Sequence, residues 1–139
     1  DPDCLIILVI NSPRKDDPLT ARLISDIETE SETLCSNGSL TCLTTDDRRT
    51  ILSVDRCSKP IPEKYGVGLA RKIGADIALT LINNRRVLEP WIFNTDADVR
   101  LPGSYFSAVA DEQDNTTSPS PAARLYPFSH RPAPGIAEA

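Results

Sequence analysis

Trp91-Ile92-Phe93-Asn94-Thr95-Asp96-Ala97-Asp98-Val99-Arg100-Leu101-Pro102 is the stretch on which the reading of this chain turns. An apolar run leads into two carboxylates one residue apart, and a proline soon follows. Read as a buried strand, it carries Asp96 and Asp98 out at its carboxyl end, the edge where open α/β sheets bind ligands. Residues i and i+2 of an extended backbone point the same way. Two carboxylates so placed repel each other unless a cation or donor groups lie between them. A hard divalent ion shared with phosphate oxygens meets that need. The same residues also suit a polar turn after a strand, where Asp is common.

Upstream, Tyr65 to Ile82 has the clearest helical pattern. Val67, Ala70, Ile73, Ile77 and Leu81 recur at spacings of three and four and make one apolar face. Gly66, Gly68 and Gly74 lower its propensity. The first two predict close approach of another group at the helix entrance. Asn83-Asn84-Arg85-Arg86 ends the pattern, with two cations at the negative end of the dipole. Leu40 to Thr45 and Ile51 to Val54 are short strand candidates, separated by the charged turn Asp46-Asp47-Arg48-Arg49; the second ends at Asp55-Arg56. Nearer the start, Cys4 to Ile10 is a continuous apolar run that stops at Asn11-Ser12-Pro13, as expected of a central strand buried on both faces. Asp16-Asp17-Pro18 reads as a helix start, followed by Leu19, Leu23, Ile24 and Ile27 at helical spacing. Glu28 to Glu32 then fade into a loop at Ser36-Asn37-Gly38-Ser39.

The expected order is strand, helix, strand, strand, helix, strand. Helices between buried strands imply right-handed crossovers. The fold class expected is therefore α/β: a mainly parallel sheet with helices on both faces, Rossmann-like. Its three polar strand ends, Asn11-Ser12, Asp55-Arg56 and Asp96-x-Asp98, would open onto one edge. Such convergence predicts a nucleotide or phosphate site.

Four segments in this order resemble the nucleotide-binding half of a GT-A-type glycosyltransferase of the family 2 kind. They are Ile6-Ile7-Leu8-Val9-Ile10-Asn11-Ser12-Pro13, Ile51-Leu52-Ser53-Val54-Asp55, Gly66-Val67-Gly68-Leu69-Ala70-Arg71-Lys72-Ile73-Gly74, and Ile92-Phe93-Asn94-Thr95-Asp96-Ala97-Asp98. The resemblance covers residues 4 to 106, and the last segment, with Leu101 to Phe106 after it, is its most specific part. It implies that Asn11 and Ser12 line the nucleotide pocket and that Asp55 accepts a hydrogen bond from the base. Arg71 would face base or diphosphate. Asp96 would meet the ribose or the metal, and Asp98 would bind the metal, Mn²⁺ or Mg²⁺, directly. The implied donor is a UDP- or GDP-linked sugar, transferred to an acceptor hydroxyl. In inverting members the general base is a carboxylate well downstream of Asp-x-Asp. After Asp98 only Asp111, Glu112, Asp114 and Glu138 remain, and none takes that role from its setting.

Length and composition bound the rest. The chain has 139 residues, 40% of them hydrophobic, which suits one modest core. We divide it into an α/β domain over 1–113 and a proline-rich tail over 114–139, whose composition argues for loop or disorder. His130, in that tail, is either a further metal ligand or an exposed side chain. The absence of methionine and of a second half implies a fragment of a longer reading frame. A net charge of −5 argues against nucleic acid as a partner. No apolar run approaches the roughly 20 residues of a membrane span. Cys4, Cys35, Cys42 and Cys57 lack the spacing of a zinc site. Cys35 and Cys42 flank a glycine-containing loop and are close enough in sequence to bridge, but a reduced, cytoplasmic setting is the expectation. Two rival classes stand beside the glycosyltransferase. One is a nucleotidyltransferase, which lacks support from any glycine-rich basic loop after Asn11-Ser12-Pro13-Arg14-Lys15. The other is a nucleotide-binding fragment without turnover.

Overall fold

The computed structural model describes residues 4–12, 14, 17–96, 99–106, 123 and 125. They fall in two compact units, 1–96 and 97–139. The first contains β1 (Leu5–Ile10), α1 (Pro18–Thr29), β2 (Ser31–Asn37), β3 (Leu40–Thr45), β4 (Thr50–Asp55) and α2 (Gly66–Asn83). The strands form one sheet in the order β1-β4-β3-β2.

Only β1 and β4 are parallel; β4 with β3 and β3 with β2 are antiparallel. The expected Rossmann-like, mainly parallel sheet is thus corrected to a small mixed sheet with two helices. The reason lies in the connections. A parallel crossover needs about a dozen residues or more. Between β3 and β4 stand only residues 46–49, and between β2 and β3 only Gly38 and Ser39. Gly38, at φ +63°, occupies the first central position of that tight turn, where a left-handed backbone favours glycine. Such links can only return the chain antiparallel.

Two further expectations change. β1 is a strand, as its apolar run predicts, but it lies at one edge of the sheet and is mostly half-buried. The run 91–96, expected as a buried strand, has no regular secondary structure; Trp91 and Phe93 are half-buried, and Asn94, Thr95 and Asp96 are exposed. Conversely, Ser31–Asn37 is a strand where a fading helix and loop are expected. It is polar and almost wholly exposed, so it carries no apolar alternation.

α1 begins as its sequence predicts. Asp17 caps it: Oδ2 accepts from the Thr20 backbone N–H at 3.1 Å and from the Thr20 hydroxyl at 3.0 Å, with Pro18 following. α2 closes through hydrogen bonds from Arg85 N to the Ile82 carbonyl at 2.9 Å and from Arg86 N to the Leu81 carbonyl at 2.8 Å. Those two bonds make a Schellman motif, with Arg85 at φ +55° in the place usually given to glycine. Gly74 packs α2 on β1: a Cβ there would sit 3.5 Å from Val9 Cγ2. At Gly66 and Gly68 nothing described lies within 4 Å of such a Cβ, so the expected close approach at the helix entrance is not found. Gly66 answers instead to its φ of +42°.

The buried apolar residues are Ile10, Leu43, Val54 and Ile61, among those described. Strand pairing puts Ile10 and Leu43 on one face and Val54, beside Val9, on the other. In the second unit, Tyr105 N donates to the Pro102 carbonyl at 3.0 Å, and the Tyr105 and Phe106 rings meet edge to face with centroids 5.1 Å apart. Among the described residues, no helix is long and apolar enough to cross a membrane.

Candidate functional site

The parallel pair β1–β4 ends in register, Ile10 opposite Asp55. Both strands therefore deliver their polar ends to one edge, and Arg56 N ties that edge together by donating to the Ile10 carbonyl at 2.9 Å. Asn11, Ser12 and Asp55 are delivered there, two of the three expected strand ends; the third was expected at Asp96, which ends none of the described strands. Asn11, Ser12 and Asp55 are each already engaged. Asn11 Oδ1 accepts from Ile61 N at 2.6 Å and so pins the loop that follows β4. Ser12 is fully buried; its hydroxyl donates to the Arg14 carbonyl and accepts from Arg14 N at 3.3 Å. Asp55 Oδ1 accepts from Cys57 N at 2.6 Å, an Asx turn that fixes the carboxylate at the strand end. Asp55 N in turn donates to the Ser39 carbonyl at 2.8 Å. Among the described residues, the second oxygen of Asp55, which has the Cys57 thiol beside it, and the amide NH₂ of Asn11 are the groups left to meet a ligand.

Cys57 reports the electrostatics of this edge. Its thiol is pushed up to about 11, first by desolvation and then by the Asp55 carboxylate, with a contribution from Asp17. Its Sγ donates to the Ile10 carbonyl at 3.9 Å. Asp17 is held below the ordinary carboxylate range, chiefly by the Thr20 backbone N–H. Because that carboxylate fills the start of α1, the helix end does not offer its own N–H groups to a phosphate.

Arg71 and Asp96 form a second group. The Arg71 guanidinium donates through Nη2 to Asp96 Oδ1 at 2.5 Å, with both side chains about half exposed. Arg71 lies one turn before Gly74, the residue set against Val9 near the end of β1. Sequence reading assigned these two residues separate tasks and missed their pairing, since a 25-residue separation carries no local signal. It placed Arg56 at a polar strand end but gave it no role; its Nε is buried without a hydrogen-bond partner among the described residues. Its position directly after Asp55 was the available signal.

Asp98, His130, Asp111, Glu112, Asp114 and Glu138 lie outside the described residues. No cluster of three metal-ligating side chains occurs among the described residues. Asp96 fits a hard cation in part: one oxygen takes the guanidinium, and the other remains on an exposed carboxylate.

Comparison with protein-family models, with curated proteins and with solved structures gives no match to this chain.

Proposed function

We propose that this chain is the donor-binding segment of a glycosyltransferase of the family 2 kind, binding a UDP- or GDP-linked sugar with a divalent ion for transfer to an acceptor hydroxyl. The observation that carries the reading is the in-register parallel pairing of β1 with β4, which gathers Asn11, Asp55 and Arg56 at one sheet edge. The order of the four motif segments supports it from the sequence side.

In this reading Asp55 accepts the base N–H with the oxygen that Cys57 N leaves free. The Asx turn holds that oxygen in place before the nucleotide arrives, so little orientational freedom is lost on binding. Asn11 turns its NH₂ toward the ligand because its oxygen is held by Ile61 N. Ser12 shapes the loop from below. Arg56, whose buried Nε has no hydrogen-bond partner among the described residues, and the Arg71 guanidinium would bring positive charge toward diphosphate oxygens. Arg71 also orients Asp96, which with Asp98 would hold Mn²⁺ or Mg²⁺. When bound, such an ion would neutralise charge on the leaving nucleoside diphosphate. The cytoplasm, where nucleotide sugars and free thiols coexist, is the compartment that belongs to this proposal; all four cysteines are free.

Titration calorimetry tests it, with UDP and GDP added to the folded chain in Mn²⁺ and then in EDTA. Binding that requires the metal and disappears in Asp98→Ala is expected. Absence of binding by a folded chain, or binding indifferent to both metal and Asp98, would overturn the reading. Release of pyrophosphate from a nucleoside triphosphate would replace it with the nucleotidyltransferase.

A further inference from the structure

The β2–β3 hairpin holds two cysteines that the candidate site does not use. Cys35 and Cys42 are direct partners across the antiparallel pair. Partners of this kind share a sheet face with Cα atoms about 4.5–5.5 Å apart, inside the about 4.4–6.8 Å that a disulfide spans. Burial, and then the Cys35 thiol across the pair, push the Cys42 thiol up, so Cys35 is the thiol that reacts first. In the next pair, Ser36 Oγ and Thr41 Oγ1 lie 3.2 Å apart, which shows how closely side chains approach along this hairpin. Cys35 is exposed on the outermost strand, within reach of a small reagent. The strand register shifts between Thr33 and Cys35, and an irregularity there gives the strand room to adjust. Cys57 is the contrast. Its thiol sits beside the Asp55 carboxylate, which opposes formation of a thiolate.

We propose that Cys35 and Cys42 form a reversible cross-strand disulfide by exchange with a low-molecular-weight disulfide such as oxidised glutathione. The Cys35 thiolate attacks one sulfur of that disulfide. A bond from Cys35 to glutathione forms, the external S–S bond breaks, and one glutathione thiolate leaves. Cys42 then gives its proton to water, and its sulfur attacks Cys35 Sγ. The Cys35–Cys42 bond forms as the mixed disulfide breaks, and the second glutathione leaves as a thiolate. The protein is oxidised by two electrons, and one glutathione disulfide is reduced to two thiols. Cytosolic disulfides are typically of this transient, redox-sensing kind. The bond closes the turn at Gly38–Ser39, whose Ser39 carbonyl accepts Asp55 N–H, so oxidation braces the strand end from its neighbour. The proposal does not depend on what the strand end binds.

Mass spectrometry tests it on the full chain. The folded protein is equilibrated with oxidised glutathione, quenched with an alkylating agent and digested with trypsin. One tryptic peptide, 23–48, contains both Cys35 and Cys42 and neither of the other cysteines. That peptide is expected to lose two hydrogens, to escape alkylation, and to regain two alkylation sites after dithiothreitol. Cys42→Ser is expected to stop at a glutathione adduct on Cys35. Full alkylation of the wild-type peptide, a stable adduct on Cys35 in the wild type, or a bond to Cys4 or Cys57 would each overturn the proposal. The wild-type result stands without any variant, so a variant that failed to fold would not blur the outcome.

Discussion

β4 and the 91–96 run are both short apolar segments that end in an aspartate, yet only one is a strand. β4 is flanked on both sides, by β1 and by β3, and every backbone group along it has a neighbour to pair with. The 91–96 run pairs with none of the described strands. The difference extends to the two aspartates. The Asp55 carboxylate is held by the backbone N–H of Cys57 in its own turn, whereas Asp96 is held by the end of a long arginine side chain. Identical residue types at similar positions thus gain different degrees of order. A backbone-built contact is set when the sheet forms. A surface ion pair adds about 0–1 kcal/mol and is screened by salt.

The comparison is broken most severely through the core. Leu43→Ala, at a residue 1% exposed beside β4, is expected to cost about 2–5 kcal/mol. Ile92→Ala, at a residue 37% exposed, should stay near about ±0.5 kcal/mol, as most surface substitutions do. Urea denaturation of the two variants measures both. Equal losses would mean that the 91–96 run is packed as firmly as β4.

Asp55→Asn comes next. Removing the charge beside Cys57 should lower the thiol from about 11, though desolvation, the larger cause, keeps it above its ordinary 9.0. The rate of alkylation at Cys57 against pH reads this directly; an unchanged midpoint would remove Asp55 as a cause. The native protein should also lose stability as pH rises from 9.0 toward about 11, because the unfolded thiol ionises first. Below 9.0 that contribution is fully present.

Asp96→Ala should move stability less than Asp55→Ala, which strands the Cys57 N–H at a cost of about 1 kcal/mol. Salt should weaken the Arg71–Asp96 contact and leave the Asp55 turn alone. Thermal melts at low and high ionic strength compare them. The smallest effect sharpens the comparison from the other side. Arg85→Gly relieves a left-handed backbone at the end of α2, the helix that carries Arg71, and should raise stability by up to about 1 kcal/mol in the same melts.

Several elements were legible, though the fold class was not, because periodicity and end signals act locally. Asp17-Pro18 starts α1, the apolar residues spaced from Val67 to Leu81 lie in α2, and Ile51–Val54 lies in β4. Pairing is not local. Nothing within Leu5–Ile10 says whether it has one neighbouring strand or two, and nothing within 91–96 says that it joins none of the described strands. β2 was hidden because Ser31–Asn37 is polar and its order comes from β3. The direction of the sheet was readable from turn length at 46–49, but helix-strand alternation elsewhere outweighed it. The candidate site divides the same way. Asn11 and Asp55 were legible as strand ends, while the Arg71–Asp96 pair joins residues that only tertiary structure brings together.

The central claim is that the shared carboxyl edge of β1 and β4 receives the nucleotide. Backbone amide NMR of the folded chain, titrated with UDP and then GDP in Mg²⁺, tests it most directly. The account predicts that the amides of Asn11, Asp55, Arg56, Cys57 and Ile61 shift together and saturate with a single affinity. Shifts confined to the β2–β3 hairpin, or to residues of the second unit with that edge unmoved, would contradict it.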